Sequence, residues 1–272
     1  MSYKDLSVAK KREIADYYKK PNPIKKTCKH FGIGENSLYK VLNELGITKR
    51  TREQNGQHLY SIDKQFFYTE SADLAYFLGL MGSDGYVSST DNRVEIELQG
   101  SDSEVLEKIR KRINLTRPIK FYKTKRGCIK SKLYFEDKEI HNLLISRYGL
   151  CPRKTYDLEN FYFPDISSQY YCDYIRGYFD GDRSIKITNK YLTFQIDGSN
   201  LQLLQKIKTI LEENTGASLG ICKREPDGKK HKIILYRIYG YSENAKKVFQ
   251  YLYQNDKGIY LQRKYNFYLK EK

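Results

Sequence analysis

Tryptophan is absent from this sequence of 272 residues, methionine occurs only twice, and no apolar run is long enough to cross a bilayer. The five cysteines are odd in number and form no C-x-x-C pair, which argues against a zinc knuckle or a disulfide framework and fits a reducing compartment. The first residues lack the apolar segment of a secretory signal peptide. We therefore expect a soluble, intracellular protein with no membrane partner.

Acidic residues are too few to balance the basic ones. The chain has 49 Lys and Arg against 33 Asp and Glu, which gives a formal net charge of +16. A surplus of positive charge spread through a sequence with the pattern of a folded protein indicates a polyanionic partner, most simply nucleic acid. A basic enzyme without such a partner is the alternative.

The first fifty residues form a separate helical module. Their pattern predicts helices over about 8–20, 24–31 and 35–45, with a glycine turn before the third. A short helix, a glycine turn and an amphipathic helix are typical of a helix-turn-helix, although a three-helix bundle that only packs on its neighbour is the alternative. In a helix-turn-helix the last helix enters the major groove. The residues of this helix predicted to contact DNA are Asn36, Ser37, Tyr39, Lys40 and Asn43.

Two copies of one pattern make up most of the remaining chain. Each begins with an apolar helix that ends in an aspartate, Asp84 or Asp182. When these aspartates are aligned, residues 94–101 fall on 192–199 without a gap. A register held that far implies one supersecondary unit used twice, and a pseudo-dimer with both acidic helix ends at one axis. The predicted domains are the helix-turn-helix module at 1–48, a basic linker at 49–70, the first repeat at 71–165 and the second repeat at 166–272.

Each repeat is predicted to run α-β-β-α-β-β-α. This order makes one antiparallel sheet with helices on one side, so that the fold class is α+β. Apolar and polar side chains alternate in the second strand of each repeat, which leaves the other sheet face polar. Such a face suits the floor of a DNA groove, although a solvated face would look the same in a single copy. The residues predicted to contact DNA from the sheets are Arg93, Glu95, Glu97, Lys120, Lys123, Lys186, Lys190, Thr193, Gln195, Lys223 and Arg224.

Small residues on both acidic-ended helices predict that the two helices pack closely. Gly79 on the first and Gly177 on the second each have another small residue one turn further on. Close packing would bring Asp84 and Asp182 within reach of shared or neighbouring metal ions. Carboxylates prefer hard divalent ions such as Mg²⁺, which activate water and offset charge on a scissile phosphate. The alternative is that both aspartates only terminate helices.

Residues 74–87 and 174–182 resemble the two dodecapeptide motifs of the LAGLIDADG homing endonucleases, and the connector at 149–155 is also similar to that family. The resemblance covers about residue 61 to the C-terminus and leaves the helix-turn-helix outside. It implies a monomeric, saddle-shaped molecule with a pseudo-two-fold axis that clamps a long site on double-stranded DNA. It also implies Mg²⁺-dependent hydrolysis of both strands between the helix ends, which leaves short 3′ overhangs.

The resemblance further implies roles for single residues. Asp84 and Asp182 match the metal-binding positions, and Lys138 matches a basic residue that offsets charge on the phosphate. Gln99 and Asp197 lie near the position of a polar residue that orients water. The catalytic residues implied in this way are Asp84, Asp182, Lys138, Gln99 and Asp197.

One departure from the family pattern weakens the second half of this expected active site. Arg183 stands where a glycine is expected after Asp182, and its guanidinium can pair with Asp182 and compete with metal. The expected result is slow double-strand cutting, or nicking biased to one strand. The alternative is that Arg183 contacts the DNA backbone at no cost.

Three functions stay open. The favoured one is a homing endonuclease of a mobile element, encoded in an intron or by a free-standing gene, in the cytoplasm of a bacterial or phage-infected cell or in an organelle. The others are a maturase that binds intron RNA and a DNA-binding regulator that does not cut. Two retained aspartates argue against the regulator, because a protein that only binds gains nothing from desolvating two acids near phosphate.

Overall fold

In a computed structural model the chain divides into two compact units, Met1–Ser61 and Ile62–Lys272. The structure describes residues 3–20, 22–49, 60–181, 185–188, 191–226, 233–254 and 258–271, and it describes only the backbone of 185–188, 191 and 271. Within these ranges, none of the helices combines the length and the apolar character needed to span a membrane.

Three α-helices lie in the part of the first unit that the structure describes. They are α1 (Val8–Lys19), α2 (Ile24–Phe31) and α3 (Glu35–Glu44). The Oγ of Ser7 accepts a hydrogen bond of 3.2 Å from the amide of Lys10 and so caps α1. Gly32 ends α2 with a φ of 63°, in the left-handed region that favours glycine. The helices enclose one apolar core made by Leu6, Ile14, Tyr18, Phe31, Ile33, Leu38, Val41 and Leu42.

The first repeat of the second unit contains a four-stranded antiparallel sheet whose strand order is β1-β2-β4-β3. The elements of this first repeat are α4 (Gln65–Tyr68), α5 (Ala72–Asp84), β1 (Gly85–Val87), β2 (Arg93–Gln99), α6 (Ser103–Arg112), β3 (Lys120–Lys123), β4 (Ile129–Glu136) and α7 (Lys138–Ser146). β4 pairs with both β2 and β3.

A second antiparallel sheet has the equivalent order, β5-β6-β8-β7. The elements of this second repeat are α8 (Tyr171–Gly181), β5 (Ile185–Thr188), β6 (Tyr191–Gly198), α9 (Leu201–Thr215), β7 (Gly220–Arg224), β8 (Leu235–Tyr241), α10 (Ser242–Leu252) and α11 (Gln262–Glu271). The predicted fold class, α+β with one αββαββα unit used twice, is confirmed.

One face of each sheet packs on helices. Val94, Ile96 and Leu98 of β2 are buried, and so are Phe194 and Ile196 of β6. α6 contacts the first sheet and α10 the second. The opposite face of each sheet, which carries the alternate residues, is called the polar face below.

The helices α5 and α8 are buried on all sides. Every residue of α5 from Leu74 to Gly82 is buried, and so is every residue of α8 from Cys172 to Gly181. An apolar helix that is hydrophobic all round lies inside a protein, and α5 fits this description. These two helices therefore form the centre of the second unit.

Candidate active site and nucleic-acid interface

The backbones of α5 and α8 touch at their glycines. A methyl group added at Gly79 would lie 1.9 Å from the carbonyl oxygen of Tyr174. One added at Gly177 would lie 2.1 Å from the carbonyl oxygen of Tyr76. No side chain fits at either position, which is the reason for glycine there. The predicted close approach of the two helices is confirmed.

The same packing brings the C-terminal ends of the helices together. A methyl group at Gly181, the last residue of α8, would lie 1.8 Å from Ser83 Oγ and 3.2 Å from Asp84 Oδ2. Asp84 is the last residue of α5 and is exposed. Its carboxylate therefore lies against the residue that precedes Asp182. Asp182 and Arg183 are outside the described residues, and so is the contact predicted between them.

A lysine of the connector reaches the end of α5. The Nζ of Lys154 donates a hydrogen bond to the carbonyl oxygen of Gly85, the residue after Asp84. Burial of the ammonium group lowers the pKa of Lys154 to about 8, while the negative charge of Asp84 acts in the opposite direction. A cationic group thus lies beside the helix end that carries the exposed carboxylate.

The corresponding lysine of the second repeat lies elsewhere. Arg153-Lys154 follows the last helix of the first repeat, and Arg263-Lys264 follows α10 in the second. Lys264 is 1% exposed, and its Nζ donates a hydrogen bond to the carbonyl oxygen of Phe179. The second repeat therefore holds its lysine in the core, two residues before the helix end. Sequence reasoning missed both lysines, although the repeated Arg-Lys pair was the signal that could have found them.

A buried carboxylate faces Lys264. Asp180 is 2% exposed and accepts hydrogen bonds from the hydroxyls of Tyr76 at 2.8 Å and Tyr253 at 2.9 Å, and from a backbone amide. Burial raises the pKa of Asp180, and the positive charge of Lys264 opposes this effect. The aligned residue of the first repeat is Gly82, which has no charge to draw a lysine inward.

Lys138 lies away from Asp84. It begins α7, just after the end of β4 that pairs with Arg93, the first residue of β2. The residue after Asp84 pairs with Ile96, three residues further along β2, which corresponds to about 10 Å. The structure therefore brings Lys154, and not Lys138, to the end of α5.

The two residues predicted to orient water differ in their surroundings. Gln99 ends β2 and is half-buried on the polar face. The two oxygens of Asp197 accept hydrogen bonds from Nε and Nη2 of Arg237, both at 2.6 Å, and Oδ2 also accepts one from Nη1 of Arg224 at 3.2 Å. Because arginines engage both oxygens of Asp197, a water-orienting role is favoured only for Gln99, where it stays a prediction.

The strand register contradicts two of the predicted DNA contacts. Neighbouring residues of a strand point to opposite faces of its sheet. Lys123 pairs with Ile129 and so belongs to the helix-covered face of Leu133. Lys223 likewise shares the helix-covered face with Ile238. Neither lysine extends from the polar face as the sequence predicts.

A third predicted contact is buried. Thr193 lies on the polar face, but it is 1% exposed opposite Tyr241, a much larger side chain. The prediction that it contacts DNA is therefore wrong. Lys190 and the side chain of Lys186 are outside the described residues. The predicted contacts that do lie on the polar faces with exposed surface are Arg93, Glu95, Glu97, Lys120, Gln195 and Arg224.

Acidic and basic residues are paired on the polar face of the first sheet. The Nζ of Lys132 lies 2.6 Å from Glu95 and 3.5 Å from Glu97, and the hydroxyl of Tyr122 donates to Glu97. Burial raises the pKa of Glu97, but the hydrogen bond from Tyr122 and the charge of Lys132 outweigh it, and the pKa lies below its usual value. Glu97 is therefore ionised and compensated at neutral pH.

The predicted recognition helix, α3, presents a polar surface. Asn36, Lys40 and Asn43 are exposed, and Ser37 and Tyr39 are half-buried. The apolar residues of α3 point into the core of the first unit. This arrangement leaves all five side chains at the surface, and their contact with DNA stays a prediction.

The carboxylate at the helix ends is the type of ligand that a hard divalent cation prefers. Asp84 offers an exposed carboxylate where α5 meets α8. Among the described residues there is no group of three or more His, Cys, Asp or Glu that could hold a metal. If Asp182 adds a second carboxylate here, as the sequence predicts, a metal would have two protein ligands and water for the rest. Mg²⁺ suits such a site because it usually keeps several waters.

No protein-family model matches the sequence, and no curated protein matches it. Among solved structures, the chain is similar to the N-terminal LAGLIDADG domain of DUF199/WhiA, with 14% identity, coverage of 75% of this chain and 90% of that one, and a TM-score of 0.45. It is also similar to the homing endonuclease I-WcaI bound to its DNA recognition sequence, with 15% identity, coverage of 82% and 95%, and a TM-score of 0.44. A third similar structure is the I-LtrWI LAGLIDADG homing endonuclease bound to target DNA, with 13% identity, coverage of 73% and 89%, and a TM-score of 0.45. Values this low do not transfer an activity, and the function must follow from contacts within the chain.

Proposed function

We propose that the chain is a site-specific DNA endonuclease that hydrolyses phosphodiester bonds with a divalent metal ion, Mg²⁺, at the ends of α5 and α8. The observation that carries the proposal is the position of Asp84. Its Oδ2 lies 3.2 Å from the point that a methyl group added at Gly181 would occupy, and the next residue in the chain is Asp182. Asp84 is exposed at this junction, whereas Asp180 is buried and hydrogen-bonded.

In this proposal Asp84 and Asp182 hold the metal, which when bound supplies a Lewis acid and an activated water. Phosphodiester hydrolysis depends more on charge stabilisation than on a protein nucleophile. The ammonium group of Lys154, beside the end of α5, offsets negative charge on the scissile phosphate. Gln99 orients water through its amide from the polar face of the first sheet.

The polar faces of the two sheets are the proposed surfaces for duplex DNA. A β-sheet surface can enter the major groove, where each base pair presents a distinct set of donors and acceptors. Arg93, Lys120 and Arg224 lie on these faces, and the net charge of +16 favours a polyanion. α3 adds contacts as a helix-turn-helix. Because both repeats belong to one chain, the enzyme acts as a monomer. Cutting at one long site would serve the spread of its own gene.

Cleavage of a selected site tests the proposal. Binding sites are first selected from random duplexes without divalent metal, and the best one is cloned into a supercoiled plasmid. With Mg²⁺, the wild-type chain is expected to break this plasmid, whereas Asp84→Asn binds the site but does not cut. Asp165→Asn, a change at an exposed aspartate that precedes the start of α8, is the matched control and should cut like the wild type.

Two results would contradict the proposal. Tight binding of the wild-type chain without breaks would identify a DNA-binding protein that does not cut. Binding to intron RNA in preference to the duplex, with improved splicing, would identify a maturase.

A further inference from the structure

One carboxylate holds two arginines on the polar face of the second sheet. Asp197 of β6 lies directly opposite Arg237 of β8 in the sheet register. Its oxygens accept hydrogen bonds from Nε and Nη2 of Arg237, both at 2.6 Å. Arg224, on the adjacent strand β7, donates to the same carboxylate at 3.2 Å. The three side chains are partly exposed and together carry one net positive charge.

This contact fixes the orientation of the Arg237 guanidinium. A guanidinium presents five N–H donors in a planar fork. Asp197 contacts the edge formed by Nε and Nη2, so the edge formed by Nη1 and Nη2 is directed away from the carboxylate. A side chain held in one orientation before its ligand arrives loses less entropy on binding.

The chemistry of this outer edge matches a guanine base. N7 and O6 of guanine accept two hydrogen bonds side by side in the major groove, and arginine is their most frequent partner. A backbone phosphate also accepts such a pair, but its full negative charge would lie close to Asp197. A guanine edge carries only partial charges, which the neighbouring carboxylate repels far less.

We propose that Arg237 is a specificity-determining residue that reads one guanine in the target, and that Asp197 is a positioning residue that orients it. The inference rests on the proposed function, because it requires that the polar face of the second sheet lies in a groove of duplex DNA. It gives Asp197 a role in recognition, in place of the water-orienting role that the sequence suggested. Arg224 compensates the charge of Asp197 beside the DNA.

Site selection with variants tests this assignment. The full chain selects sites from random duplexes in metal-free buffer, and affinities are then measured for the selected site with guanine or adenine at each guanine position. Arg237→Lys keeps the charge but lacks the planar fork. It is expected to bind non-specific DNA like the wild type and to lose roughly 5- to 150-fold of the preference for guanine at one position. Asp197→Asn should weaken the preference at the same position.

Lys223→Ala is the matched control, because it removes a positive charge from the helix-covered face of the same sheet. It should change the preference at no position, and thermal unfolding checks that every variant is folded. An unchanged guanine preference in Arg237→Lys would overturn the inference and leave DNA binding intact. An equal loss at all positions would indicate a phosphate contact and overturn it as well. A wild-type chain that selects no site would instead contradict the proposed function itself.

Discussion

Replacing Gly79 with alanine tests whether the helix ends depend on backbone contact between α5 and α8. The added methyl group would lie 1.9 Å from the carbonyl oxygen of Tyr174 and 2.7 Å from the amide nitrogen of Tyr178, whereas ordinary contacts begin at 3.4 Å. The two helices must therefore move apart by about 1.5 Å at their crossing. Backbone atoms at the centre of a buried helix cannot turn aside as a flexible side chain would.

Overpacking in a core typically costs about 1–3 kcal/mol, and this change belongs at the upper end because backbone atoms collide. At about 2–4 °C per kcal/mol for a unit of this size, Tm should fall by about 6–12 °C. The same separation moves Asp84 away from the end of α8. A displacement of about 1 Å at a reacting centre can lower the rate on the order of a hundredfold, and we expect plasmid cleavage to fall by that factor.

Thermal unfolding and plasmid cleavage measure the two effects. Gly34→Ala is the control, because a methyl group there meets nothing within 4 Å and the backbone does not have a positive φ. The double variant Gly79→Ala/Gly177→Ala should lose less stability than the sum of the single variants, since both methyl groups separate the same helices. A Gly79→Ala protein that melts and cuts like the wild type would refute the described helix contact.

Three further changes test the site. Asp180→Asn replaces a buried carboxylate oxygen that accepts hydrogen bonds with an amide group that cannot accept them. The cost should lie at the upper end of about 1–3 kcal/mol because Asp180 also offsets the charge of Lys264, so Tm should fall by roughly 6–12 °C; a small shift like that of exposed Asp165→Asn would contradict this. Lys154→Met removes the cation at the end of α5, and we expect plasmid nicking to slow on the order of a hundredfold at unchanged affinity for the selected site. A parallel loss of affinity would assign Lys154 to binding instead. Arg183→Gly should raise the ratio of linear to nicked plasmid at early times, because it removes the residue expected to weaken the second half of the site. An unchanged ratio would show that Arg183 does not cause strand bias.

Features encoded locally were predictable from the sequence. The second apolar helix was predictable because its pattern is contiguous in sequence, and α8 spans Tyr171–Gly181, directly before Asp182. The close helix contact followed from Gly79 and Gly177, since only glycine permits backbones to meet. The repeated register of the second strands also predicted two equivalent sheets.

Features that depend on long-range contacts were not predictable. The bond between Lys154 and Gly85 joins residues 69 positions apart and depends on how the connector folds back on α5. Lys120 and Lys123 cannot share a face of one strand, nor can the adjacent Lys223 and Arg224, and which member of each pair lies on the polar face depends on how the strands pair. A shift of one residue moves a side chain to the other face of its sheet. Thr193, which lies opposite Tyr241 of another strand, is buried, and its surroundings depend on the sheet pairing.

The complete burial of α5 and α8 has a consequence for engineering. Each of these helices covers the other, and a half expressed as a separate polypeptide would expose to water the helix face that its counterpart now buries. Such halves should be insoluble alone and recover when they are co-expressed. A chimera that joins one half to a foreign counterpart would succeed only where the foreign helix leaves space opposite Gly79 and Gly177.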